Sequence, residues 1–185
     1  MVVIMQNTKQ HYGWITITLH WLIASVIIGL FALGYWMVDL GYYDPWYTQG
    51  PDIHRSIGVV LFGLMIVMFV AQIIQTRPKS LDNHSKFEKV AGGLTHKLLY
   101  LLVVMVLFSG YLISTADGRA IEVFKLITVP SLGTLFNNQV DIAGFVHQYL
   151  SYTMMVLALI HALAALKHHF IDKDKTLTRM LGYKK

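Results

Sequence analysis

The sequence predicts an all-α membrane protein, a bundle of four transmembrane helices, and three observations carry that prediction. Of its 185 residues, 55% are hydrophobic and only 14% charged, where a soluble domain has about 25% charged residues. The mean hydropathy is +0.53. Four long runs free of Asp, Glu, Lys and Arg can each cross a hydrocarbon core about 30 Å thick at about 1.5 Å per residue. Cysteine is absent, which excludes disulfides, thiolate catalysis and cysteine-held iron-sulfur clusters. Any metal must rest on histidine, carboxylate or methionine.

The runs are Trp14 to Val38, Ile57 to Ile74, Leu98 to Ser114 and Ile142 to Leu166. The third is short and is expected to begin nearer Leu94, so the predicted helices cover about 14–38, 57–74, 94–114 and 142–166. The first run is too long for the apolar part of a cleaved leader and no small-residue cleavage site follows it, so it is expected to stay as a helix. Residues 1–185 are expected to form one integral membrane domain.

Twelve basic residues flank one side of these spans: Lys9, Arg77, Lys79, Lys86, Lys89, Lys97, Lys167, Lys173, Lys175, Arg179, Lys184 and Lys185. Three, Arg55, Arg119 and Lys125, flank the other. The positive-inside rule puts both termini and the loop between helices two and three in the cytoplasm. The basic balance is thus a topology signal, and nucleic acid is not an expected partner. Asp39, Asp44, Asp52, Asp117, Glu122 and Asp141 fall outside, and Asp82, Glu88, Asp172 and Asp174 inside. The outer face is therefore net acidic. In the first outer loop, 39–52, Tyr and Trp suit the headgroup region. In the second, 115–141, the apolar stretch from Ile121 to Val129 is expected to form a short interfacial helix.

Five of the nine histidines, His20, His54, His96, His147 and His161, lie within or at the edges of the spans. Polar groups at membrane depth are costly, so function is the default reading. His147 and His161 differ by 14 positions, which on one helix leaves them roughly 40° apart in direction and about 21 Å apart along the axis. That is too far for one ion or a paired-metal centre, whose ions sit about 4 Å apart, and it fits two stacked haems. By depth, His54 matches His147 at the outer side and His20 matches His161 at the inner side; His20 and His96 can exchange roles on spacing alone. His96, beside Lys97, is otherwise expected to bond a haem propionate or a quinone carbonyl. Arg55 is expected to balance the outer propionates, and Gly58, one turn after His54, to face a macrocycle. The other spaced glycines, Gly34 and Gly110 among them, read as helix contacts. His11 and His84 read as solvated, His168 and His169 as interfacial.

The runs Thr18-Leu19-His20-Trp21, His54-Arg55-Ser56-Ile57-Gly58, Thr95-His96-Lys97-Leu98-Leu99-Tyr100 and Ala165-Leu166-Lys167-His168-His169-Phe170-Ile171-Asp172-Lys173-Asp174, with Arg179-Met180, resemble bacterial cytochrome b561 over nearly the whole chain. The histidine pattern is also similar to that of the di-haem subunits of membrane formate dehydrogenases and nickel hydrogenases. The resemblance implies two b haems, inner ligands His20 and His161, outer ligands His54 and His147, and electron exchange with ubiquinone or menaquinone. It favours His20 over His96.

The expected function is therefore di-haem electron transfer between the quinone pool and an outer-face redox partner. Some members of that family oxidise superoxide, and the acidic outer loops argue against attracting a small anion. An anchor subunit of a dehydrogenase and a haem-free, histidine-rich transporter or zinc-binding membrane protein are the remaining alternatives. A Soret band separates the last from the rest.

Overall fold

The computed structural model describes residues 5–81 and 84–183. Asp82, Lys184 and Lys185, which enter the charge distribution above, lie outside the described residues. The chain is mostly helical, with four helices long and apolar enough to span a membrane: α1 (Trp14–Met37), α2 (Trp46–Ile74), α3 (Lys86–Thr115) and α4 (Gln139–Phe170). A hairpin of β1 (Ile121–Val123) and β2 (Ile127–Val129) precedes α4, and a short α5 (Thr176–Met180) follows it. Large apolar side chains such as Phe62, Phe69, Ile73, Leu159 and Leu163 point outward, where lipid replaces the missing core while the helices satisfy their own backbone.

Three of the four spans are longer than hydropathy predicted, because apolarity marks only the part at hydrocarbon depth. α2 starts at Trp46 rather than Ile57, capped by the Asp44 carboxylate, which accepts from the Trp46 amide at 2.8 Å. Pro51 sits inside it. α3 starts at Lys86 rather than near Leu94. Its start is a capping box, the Ser85 hydroxyl accepting from the Glu88 amide at 3.2 Å while Glu88 accepts from the Ser85 amide at 2.9 Å. α4 runs past both predicted ends.

The stretch from Ile121 to Val129 is an antiparallel hairpin, not the expected helix, so the fold is not strictly all-α. Ile121 pairs with Val129 and Val123 with Ile127. The residues alternate apolar and polar with β-branching, which fits a pleated strand. Phe124 and Lys125 take φ of 48° and 61°, and the Leu126 amide donates to Val123 at 2.9 Å. Two successive positive φ values make a turn whose twist matches an antiparallel pair. The Ser56 hydroxyl on α2 holds the hairpin, accepting from the Phe124 amide at 3.1 Å.

Two compact units divide the chain, and each long helix contributes a part to each. The first comprises Met1–Ile23, Leu64–Tyr100 and Met155–Lys185. In it the Trp21 indole donates to Met180 at 2.8 Å, Arg179 donates to the Lys79 carbonyl at 3.0 Å, and Gln72 bonds Tyr100. These contacts tie the N-terminal segment, the α2–α3 loop and the tail together. The second unit comprises Ala24–Gly63 and Leu101–Met154. There the C-terminal carbonyls of α3, which no intrahelical donor reaches, are met by side chains: Ser131 donates to Thr115 at 2.8 Å and Thr134 to Ala116 at 2.6 Å. Buried Gln139 donates to Leu112 at 2.9 Å and accepts from the Leu135 amide at 2.7 Å.

Candidate functional site

Each unit contains a pair of imidazoles, one from α4 and one from another span, whose ring centroids stand a little over 6 Å apart. In the second unit, His54 of α2 and His147 of α4 have ring centroids 6.2 Å apart; in the first, His20 of α1 and His161 of α4 are 6.4 Å apart. An ion held between two imidazole nitrogens requires two bonds of about 2.0–2.1 Å plus two ring radii of roughly 1.1 Å, a centroid separation of about 6.3 Å. Both pairs have that gap. Both pairs stand edge to face, with ring planes 72° apart in the second unit and 64° apart in the first.

His96 is placed differently. Its ring centroid lies 4.9 Å from that of His161, and its Nδ1 is 2.7 Å from the Gly92 carbonyl. A separation of 4.9 Å leaves no room for an ion on the line between the rings, so His20 and not His96 has the spacing for a shared ion with His161. Lys97, the next residue, is exposed and makes no ion pair among the described residues.

The His147 ring is oriented by its neighbours on α3. Nδ1 lies 3.0 Å from the Val106 carbonyl and 3.1 Å from the Ser109 hydroxyl. A carbonyl only accepts, so Nδ1 carries the proton and the Nε2 lone pair is left for a metal. Ser109 is 4% exposed and donates its own proton to the Val106 carbonyl at 2.9 Å. Nδ1 of His54, in contrast, is buried with no hydrogen-bond partner, the kind of orphan that a bound group can relieve.

Glycines back both rings of this pair. A Cβ at Gly34 would stand 3.2 Å from Cε1 of His54, and one at Gly110 would stand 3.1 Å from Cε1 of His147. Gly58, which the sequence suggested for close approach, faces open space, as do Gly29, Gly63 and Gly144. Sequence reasoning thus missed Ser109, the Val106 carbonyl and the ring-backing role of Gly34 and Gly110. The one signal was the polar Ser109 beside Gly110 in an otherwise apolar run. Arg55 pairs with Asp52 one turn before it. The donor chemistry and spacing of the two pairs fit a haem iron with two axial imidazoles.

His84 is not solvated as expected. It lies in the first unit against Asp174 and His168, with its Nε2 2.9 Å from Asp174 Oδ2.

The comparisons with known proteins agree with this chemistry. The profile of the prokaryotic cytochrome b561 family matches residues 11–183. The chain is 45% identical to cytochrome b561 homolog 2 of Escherichia coli strain K12, over 95% of this chain and 94% of that protein. It is 27% identical to a probable superoxide oxidase, CybB, of Yersinia pestis, over 95% and 98% of the two chains. It is 28% identical to cytochrome b562 of Cereibacter sphaeroides, over 92% and 94%. A match across four membrane-spanning helices and nearly the whole length has one conclusion: the chain belongs to the prokaryotic cytochrome b561 family, multi-pass membrane proteins that bind b-type haem and transfer electrons.

Proposed function

We propose that this protein carries electrons through two b haems between ubiquinone or menaquinone at the inner side of the bacterial cytoplasmic membrane and a redox partner at the outer side. The observation that carries this reading is the pair of imidazole gaps, 6.4 Å at His20 and His161 and 6.2 Å at His54 and His147. A b haem held between two such imidazoles would supply one-electron transfer rather than oxygen binding. The chain's own residues hold and tune it. His54 and His147 grip the outer group, with Val106 setting the His147 tautomer; His20 and His161 grip the inner one. Arg55, steadied by Asp52, offers positive charge to outer propionates, and Gly58, with nothing within 4 Å of an added Cβ, would leave room for a flat macrocycle. His96 and Lys97 stand at the inner end as donors to a propionate or a quinone carbonyl. The cytoplasmic placement of both termini rests on the twelve-to-three division of basic residues.

Superoxide oxidation is the second reading, favoured by the similarity to the Yersinia pestis protein. The outer charges weigh against it. Arg55 is paired with Asp52, and Arg119 with Asp117 at 2.5 Å. The Arg119 guanidinium holds the Asp117 carboxyl below its usual range, and Asp117 in turn raises Arg119. Of the three outer cations only Lys125 makes no ion pair among the described residues, and six outer carboxylates outnumber them, so the field that could steer an anion is weak. Mixing the purified, oxidised protein with a soluble ubiquinol or menaquinol is expected to reduce it at every salt concentration. Reduction by superoxide that outpaces both quinols, and slows as salt rises, would reverse the preference.

Ser109 offers a narrower test. Ser109→Ala is expected to keep the haem content of the parent while displacing the midpoint potential of one haem, because only the ligand bonded through Val106 loses a neighbour. Two unchanged potentials would remove Ser109 from the tuning of His147.

A further inference from the structure

In the first unit, away from the haem-spaced pairs, three elements bring metal-ligating side chains together. His84 comes from the loop before α3, His168 from the last turn of α4, and Asp174 from the turn beyond it. Lys173 takes a left-handed φ of 54°, which folds the chain back, and the Asp174 amide donates to the His168 carbonyl at 3.0 Å. Asp174 Oδ2 thereby stands 2.9 Å from His84 Nε2 and 3.0 Å from His168 Nδ1. One ligand atom from each of the three lies within 4.8 Å of the others.

Burial makes this arrangement costly unless a cation completes it. The Asp174 side chain is 4% exposed, His84 15% and His168 14%. Among the described residues no Lys or Arg reaches Asp174, because Lys167 is engaged by Asp172 at 2.7 Å and Glu88 at 3.2 Å. Burial pushes the Asp174 carboxyl up, but bonds from the Thr176 hydroxyl and amide and from His84 outweigh it and hold it at about 2, so it is a carboxylate at neutral pH. His168 Nδ1 lies 2.9 Å from Asp172 Oδ2 as well as 3.0 Å from Asp174 Oδ2, yet neither approach is aligned for a hydrogen bond and the nitrogen has no partner. His84 Nε2 is hydrogen-bonded to Asp174 and lies 3.3 Å from the Thr176 hydroxyl, whereas His168 Nδ1 is crowded by two carboxylate oxygens without a bond to either, and an ion shared among the three would relieve it. Around a tetrahedral zinc with bonds of about 2.0–2.1 Å, neighbouring ligand atoms stand about 3.3 Å apart, so the two contacts to Asp174 need to open by only a few tenths of an ångström.

We propose that His84, His168 and Asp174 form a binding site for a divalent transition metal of the zinc class, with water in the fourth position. Two imidazoles and one carboxylate select zinc and its first-row neighbours over magnesium or calcium, which prefer oxygen. The ion fastens the α2–α3 loop to the end of α4 and replaces the positive charge that Asp174 lacks. The competing account is a proton shared between Asp174 and the two histidines.

The test uses the full-length, haem-loaded protein in lipid nanodiscs, stripped with chelator and titrated with zinc by calorimetry, with metal counted by mass spectrometry after desalting. About one zinc per chain is expected, displacing neither haem and bound at least about tenfold more weakly by His84→Ala and by Asp174→Asn. The Soret absorbance of both variants, equal to that of the parent, shows that they are folded. Zinc is further expected to raise the melting temperature of the parent only, and magnesium that of none. Substoichiometric zinc in the parent, equal affinity in the two folded variants, or equal binding of magnesium overturns the site in favour of the shared proton.

Discussion

His161→Ala is expected to lower the haem content from about two per chain to about one, and His147→Ala is expected to do the same with the other haem lost, as counted by pyridine haemochrome. Each variant removes one of two imidazoles whose ring centroids stand 6.2 or 6.4 Å apart, and the one that remains would hold its haem too weakly to keep it. The spectra of the two variants should therefore differ from each other. His96→Ala is expected to retain both haems, because its ring, 4.9 Å from that of His161, stands too close to share an ion with it. His20→Ala should lose the same haem as His161→Ala. Loss of haem from His96→Ala together with retention in His20→Ala would exchange the two residues and sink the inner pairing. A parent with one haem would remove the two-haem reading altogether.

The second large effect is expected from Gly110→Val. A Cβ at this position would already be 3.1 Å from Cε1 and 3.4 Å from Nδ1 of His147, before the two γ-methyls are added. The ring cannot yield freely, since Nδ1 is bonded to the Val106 carbonyl at 3.0 Å. Either that bond breaks or the helices part, and overpacking of this kind costs about 1–3 kcal/mol. The expected result is selective loss of the haem held by His147, with the other retained. Gly34→Val acts in the same way on His54, where a Cβ would meet Cε1 at 3.2 Å. Gly93→Ala is the control: nothing lies within 4 Å of its added Cβ, and alanine in a helix is worth about 0.5–1 kcal/mol over glycine. If Gly110→Val bound haem as the parent does, the glycine would have no part in seating the ring.

Much of this protein was legible in composition and spacing. The four spans follow from apolar length, because in lipid a single helix must satisfy its own backbone and hydropathy alone reports where it does. That His54 stands level with His147, and that His161 faces a histidine at the other side, follows from depth along the spans, since a helix rises by a constant amount per residue. Other features were present in local chemistry but hidden from a hydropathy reading: the Ser85–Glu88 capping box that starts α3 and the alternation of Ile121, Glu122 and Val123 that makes a strand.

What folding alone decided depends on distances across helices. Depth could not separate His20 from His96, because both lie near one end of their spans; of the ring separations of 6.4 and 4.9 Å from His161, only the first has the length for a shared ion. Nor could spacing show that Ser109 and the Val106 carbonyl hold His147, that Gly34 and Gly110 back the paired rings, or that His84 meets His168 and Asp174. Periodicity tells how high a side chain stands on its own helix. Which neighbour it meets is set by how the helices and the loops between them pack, and no single segment contains that information.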